Sequence, residues 1–127
     1  MVNYQAIPIE GVSALNSQLA GIKWNDGTLF VDFSVMDKPL IARATIRECL
    51  IFRVLTDSAV PQLELEDQRG LSEEHLAYSV EGAFFYGHHV PTVFESPVLH
   101  YRFVTGPSLV DALSRTDPVI RTLGVSK

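Results

Sequence analysis

The four histidines have the widest chemical range of any residues in this 127-residue chain. His88 and His89 are adjacent, His75 and His100 stand apart from them, and Glu81 and Glu95 are nearby carboxylates. Neighbours along a strand project to opposite faces, so an adjacent pair there does not chelate one ion. A catalytic zinc needs three ligands in a defined geometry, and neither H-x-x-x-H nor H-x-H spacing occurs. The histidines are therefore expected on the surface or hydrogen-bonded in loops, with no metal and no cofactor.

Glu48 is the next candidate, a single carboxylate on the apolar face of a long alternating run. Buried, it would have a raised pKa and could move protons; at a bend it would be solvated and inert, which is the simpler expectation. Cys49 is the single cysteine, so no intrachain disulfide forms and no thiolate metal site can be built. Its apolar surroundings predict a buried, unreactive thiol, although Arg47 and Arg53 share its strand face. Ser108 follows Gly106-Pro107 without the G-x-S-x-G elbow. No P-loop, G-x-G-x-x-G or C-x-x-C occurs. No residue is assigned a catalytic role, and the balance favours a protein that is not an enzyme.

The elements that must position these residues centre on Leu40 to Leu55, sixteen residues without Gly or Pro and with strand alternation. Good helix formers (Ala, Arg, Glu, Leu) make a helix the competing reading. Upstream, Asp26-Gly27 between extended runs predicts a two-residue hairpin. That turn sets Asn25 opposite Thr28, Trp24 opposite Leu29 and Ile22 opposite Val31, with Phe33 and Val35 on the same apolar face. A turn at Asp37-Lys38-Pro39 then sets Val35 opposite Leu40, Phe33 opposite Ala42, Val31 opposite Ala44 and Leu29 opposite Ile46. Asp32 falls opposite Arg43 on the other face, and Glu48 opposite Gly27, where pairing ends. Glu48 thus reads as a hinge, and Leu50 to Leu55 needs another partner, expected to be the His100 to Thr105 strand.

Elsewhere, residues 1–11 read as a short extended arm. Val12, Leu15 and Leu19 have helical spacing, predicting two turns of helix over 12–20. Thr56 to Gly70 is a polar, acidic excursion. Strands are expected at 75–81, 98–105 and 108–114, with a short helix near 83–88; helix is the competing reading for 71–81, where Ser72, Glu73 and Glu74 resemble a helix start, and for 108–114, where Ser108 and Asp111 have capping-box spacing. Val119 to Lys127 is expected as a partly ordered end. The fold class is mainly β (α+β): an antiparallel meander closing toward a sandwich or half-barrel, with one or two short helices, in a single domain.

Composition narrows the function classes. Hydrophobic residues make up 46% of the chain and charged residues 20%, which is ordinary globular composition. The formal charge of −5 lacks the basic footprint of a nucleic-acid or anionic-membrane binder. The aromatic stretch 84–94 has no Lys or Arg to make a base-stacking surface. No run approaches a membrane span and no signal peptide is read, so a cytoplasmic setting is expected. Binding is assigned to Glu64, Glu66 and Asp67, facing a basic protein partner, and to His88, His89, His100 and Tyr101, converging with Glu48 on a ligand pocket. A homodimer through an edge strand or the aromatic segment is the third reading.

From Glu48 onward the order of features resembles a group of small bacterial proteins, some of them immunity proteins that neutralise polymorphic toxins. The resemblance is carried by Phe52-Arg53-Val54, Tyr78-Ser79-Val80-Glu81, His100-Tyr101-Arg102-Phe103-Val104-Thr105, Val110-Asp111-Ala112-Leu113-Ser114 and Asp117-Pro118. It implies a non-enzymatic interaction protein of immunity type and no catalytic residues. In that group the His-Tyr strand is followed by a second strand carrying an Asp, matching 108–114 here.

Overall fold

A computed structural model describes residues 2–56, 68–89 and 97–124. Ten strands form two sheets that pack face to face (β1 Val2–Ile7, β2 Ser17–Asn25, β3 Thr28–Val35, β4 Leu40–Ile46, β5 Cys49–Thr56, β6 Gln68–Arg69, β7 Ala77–Glu81, β8 Leu99–Val104, β9 Ser108–Ser114, β10 Val119–Gly124). Among the described residues one short helix, α1 (Phe84–His89), lies between β7 and β8 in sequence. One sheet runs β5-β9-β8-β7-β1-β6 and the other β10-β4-β3-β2. Pairing is antiparallel except for the two-residue contact of β1 with β6. This is the mainly β, sandwich-like class expected from the alternation.

The meander forms in the expected register. Asp26 (φ 49°) and Gly27 (φ 84°) both take the positive φ that a two-residue hairpin needs. Ile22 pairs with Val31, Phe33 with Ala42 and Asp32 with Arg43. Leu29, Val31, Phe33, Val35, Ala42, Ala44 and Ile46 are all buried, and meet Phe52, Ala77, Tyr101, Phe103, Val110 and Ala112 from the other sheet. Trp24, placed by the hairpin opposite Leu29, stays 51% exposed because it sits at the end of β2.

Glu48 is the hinge between the sheets. It has φ 51°, is exposed, and the Cys49 N–H beyond it donates to Gly27 O at 2.8 Å. The chain then leaves the four-stranded sheet and enters the six-stranded one as β5.

Three expectations fail. Residues 12–20 are a turn followed by β2, not a helix. The Ser13 N–H donates to Asn16 Oδ1 (2.8 Å) and the Ser17 hydroxyl to Ser13 O (2.6 Å), so local side chains take up the backbone groups a helix would use. Leu15 is exposed while Val12 is buried, so the supposed helical face does not exist. Next, β5 pairs with β9, not β8. The tight turn at Gly106-Pro107 makes β8 and β9 a hairpin, leaving β9's far edge for β5. Finally, Val119–Gly124 is an ordered strand on the outer edge of β4, whose backbone groups would otherwise lack a partner.

Candidate functional site

The outer face of the six-stranded sheet, turned away from the core between the sheets, gathers Arg53, His100, Arg102 and Asp111 into one cluster. Register puts them together: Asp111 on β9 lies opposite Arg53 on β5 and Arg102 on β8, and His100 is two residues from Arg102 on the same face. Asp111 Oδ1 accepts from His100 Nε2 (2.7 Å) and Arg102 Nε (2.6 Å). Oδ2 accepts from Arg53 Nε (2.8 Å) and Arg102 Nη2 (3.3 Å). Arg102 also donates to the Tyr4 hydroxyl at 2.5 Å. The Arg53 guanidinium lies 4.2 Å from the centre of the Phe85 ring, which α1 supplies.

Burial sets the electrostatics of this cluster. Burial alone would push the Asp111 carboxyl up, but the hydrogen bond from His100 and the charge and bonds of Arg102 outweigh it, leaving it at about 2. His100 is also lowered, but by burial, and the bond to Asp111 recovers only part of that. It is therefore neutral at pH 7. A carboxylate can only accept, so His100 Nε2 holds the proton and Nδ1 presents a bare lone pair. That Nδ1 is buried and has no partner among the described residues. Burial pushes the Tyr4 phenol up, against Arg102. Both Asp111 oxygens are occupied and the residue is fully buried, so Asp111 itself holds charge in place and is not placed to take a proton from a substrate.

Beside the cluster the sheet opens. The β7–β8 ladder ends at Ser79–Tyr101, although β7 continues to Glu81 against β1 and β8 begins at Leu99 against β9. A cleft of about 460 Å³ occupies the divergence, lined by residues that include Ser79, Glu81, Tyr86, His100, Tyr101 and Asp117. The Tyr101 hydroxyl donates to Asp117 Oδ1, and burial pushes that phenol up, with Asp117 adding to it.

The outer face of the four-stranded sheet is built differently. The β10–β4–β3–β2 register sets Arg121 beside Arg43, Arg43 beside Asp32, and Thr45 beside both Val119 and Phe30, with Lys23 opposite Phe30. Arg43, Arg47, Arg121, Phe30, Val119 and Leu123 line a concavity of about 590 Å³ with Asp117 at its edge. A second, of about 410 Å³, adds Lys23 and Asp32. Arg43 makes a two-point bond to Asp32 (2.7 and 3.0 Å). Among the described residues Lys23, Arg47 and Arg121 have no carboxylate partner.

Of the residues assigned to binding from sequence, His100 and Tyr101 line one cleft. His100 departs from the surface or loop setting expected of the histidines: it is a buried strand residue, because Asp111 gives its ring a polar partner inside the sheet face. His89 sits on α1 with its ring 4.8 Å from Phe85 and does not line the cleft, nor does Glu48. Glu64, Glu66 and Asp67 lie outside the described residues, as does the side chain of His88. Cys49 is buried, and that burial pushes its thiol up to about 11, as expected of an unreactive group. Arg53, Arg102 and Asp111 were not assigned from sequence. Their signal is a lone charge inside an apolar strand (Ile51-Phe52-Arg53-Val54, Tyr101-Arg102-Phe103, Leu109-Val110-Asp111-Ala112-Leu113), with signs that sum toward neutrality.

Among the described residues no group of three or more His, Cys, Asp or Glu is placed to hold a metal, and no helix is long and apolar enough to cross a membrane. Comparison of the chain with protein-family models, curated proteins and solved structures finds no match.

Proposed function

We propose that this chain is a non-enzymatic protein-interaction module that docks an acidic partner on the outer face of its four-stranded sheet. One observation carries the reading. That face gathers Lys23, Arg43, Arg47 and Arg121 against the carboxylate of Asp32, with Asp117 at its edge, on a chain whose formal charge is −5. Segregation of this kind creates a local field opposite to the molecule's net charge, which steers and orients an acidic surface. Phe30, Val119 and Leu123 stand among the arginines, the mixture of apolar and guanidinium side chains that protein interfaces favour. A single-stranded nucleic acid would want several aromatic platforms, and this face offers Phe30.

The expectation of a basic partner rested on Glu64, Glu66 and Asp67; the face described here argues for an acidic one. The immunity-type resemblance supports a blocking role and supplies a candidate partner, the product of the gene beside this one. The direct test is anisotropy with a fluorescein-labelled acidic peptide carrying interspersed leucines. Binding should weaken about 10-fold or more in the Arg47→Glu/Arg121→Glu variant and should fall with added salt. Equal binding by wild type and variant, or tighter binding of an oligothymidylate than of the peptide, overturns the reading.

A further inference from the structure

The four-stranded sheet ends at β10, and among the described residues no strand pairs with its far edge. The edge strands differ in how open they are to a further strand. β2 is bulged between Leu19 and Gly21, β5 is irregular between Cys49 and Ile51, and β6 has two residues. Bulges and brevity protect an edge from pairing. β10 has neither: Val119 to Gly124 run against Thr45 to Leu40 in unbroken register. Alternate residues of β10 line two concavities. Val119, Arg121 and Leu123 line the outer one, of about 590 Å³. Ile120 and Thr122 line one of about 340 Å³ on the core side, with Ile7, Pro8, Ile9 and Glu10. Val119 is 51% and Leu123 38% exposed, one on either side of Arg121. The row across the outer face reads Asp32, Arg43, Arg121, so two cations face one carboxylate. Like charges directly opposite each other destabilise a sheet.

We propose that β10 takes an extended acidic segment of the protein partner as a fifth strand, with an Asp or Glu opposite Arg121 and an apolar residue two positions to either side. This rests on the acidic-partner reading above and adds how that partner is held. Main-chain hydrogen bonds to a free edge give affinity, and pockets for alternate side chains give specificity. The added carboxylate completes a row that alternates in sign from Asp32 outward. The flanking apolar residues cover Val119 and Leu123. The residues between them enter the core-side concavity, whose lining is apolar apart from Glu10 and Thr122 and suits Val or Thr. A second copy of this chain fits less well: two-fold pairing that matches Val119 with Leu123 sets Arg121 against Arg121.

Anisotropy on the full chain tests this with a labelled, serine-flanked peptide carrying leucine at its first and fifth positions, glutamate at the third, and valine and threonine between. Two further copies are methylated on alternate sets of backbone nitrogens. Only one set of N–H groups in an added strand faces β10, so one copy should bind at least about 10-fold more weakly and the other within about 2-fold of the parent. Replacing the glutamate by glutamine should weaken binding about 3- to 5-fold. Bound peptide should slow amide exchange at alternate residues of Val119 to Gly124, read by NMR. Equal binding of the two methylated copies, equal binding of the glutamate and glutamine peptides, or unchanged exchange along β10 overturns strand addition. If the parent peptide still weakens in the Arg47→Glu/Arg121→Glu variant, the acidic-partner reading stands without it. Absence of any binding overturns both. Light scattering that shows a dimer, with β10 amides already protected before peptide is added, gives the edge to a second copy and overturns the proposal.

Discussion

The two outer sheet faces use the same device, an aspartate bonded to an arginine on the neighbouring antiparallel strand, with opposite consequences. Asp32–Arg43 sits on the four-stranded sheet with its arginine side chain 44% exposed. Asp111 sits on the six-stranded sheet fully buried, between Arg53 and Arg102, with α1 supplying Phe85 over Arg53. Water screens the first pair and competes for its donors, so it contributes at most about 1 kcal/mol. The second has lost its water, so each member depends on the others and removal of one strands the rest. The exposed face keeps its cations available to a partner. The buried face spends them on one carboxylate and turns them into structure.

Matched substitutions sharpen that contrast. Asp111→Ala leaves Arg53, Arg102 and His100 without their shared acceptor and should cost roughly 3–5 kcal/mol in denaturant unfolding. Asp32→Ala should cost about 1 kcal/mol or less. Similar losses at both sites would break the comparison.

Acid should act on the buried face first. The Asp111 carboxyl lies at about 2 in the folded chain, below its unfolded value of 3.8, so its stabilisation is present above pH 4 and lost as pH falls toward 2. The loss is roughly 2 kcal/mol. His100 is also lowered, from 6.5. The unfolded chain takes up that proton first, so stability should begin to decline as pH drops below 6.5. His100→Gln, which keeps a donor for Asp111, should remove this earlier slope. A wild-type stability curve flat from pH 7 to pH 4 would show that His100 titrates as in the unfolded chain.

Smaller effects separate the arginines. Arg53→Ala removes a bond to Asp111 and the contact with Phe85, and should cost about 2 kcal/mol. Arg47→Ala, on the exposed face, should stay within about 0.5 kcal/mol while weakening the acidic probe. Smallest of all, a double-mutant cycle on Asp32 and Arg43 should give a coupling of a few tenths of a kcal/mol that shrinks in high salt. A coupling indifferent to salt would mean that the pair is not screened as its exposure implies.

Much of the meander is legible in the chain because its information is local. Asp26-Gly27 dictates the turn, the turn dictates the register, and the period of two then decides which residues face inward; Asp32 meets Arg43 as a consequence. The hinge at Glu48 follows from the same count. The stretch 12–20 misleads because three apolar residues at helical spacing say nothing about the free edge of β3, which takes Ser17–Asn25 as a strand. The tail misleads for the same reason, since the edge of β4 orders Val119–Gly124.

Strand neighbours distant in sequence obey no local rule. Nothing in Leu50 to Leu55 tells whether β8 or β9 lies beside it, because both are apolar and of similar length. That choice decides whether Arg53 meets Asp111. The charge cluster and the cleft beside it are therefore products of sheet order, as is the neighbouring of Arg121 and Arg43 across β10 and β4. By itself the sequence determined the strand pattern, the hairpin register, the hinge and the buried unreactive thiol, all set by alternation and turn chemistry within a few residues. Only the tertiary structure decided which lone charges meet and which stay open, because pairing between distant strands settles where each one loses its water.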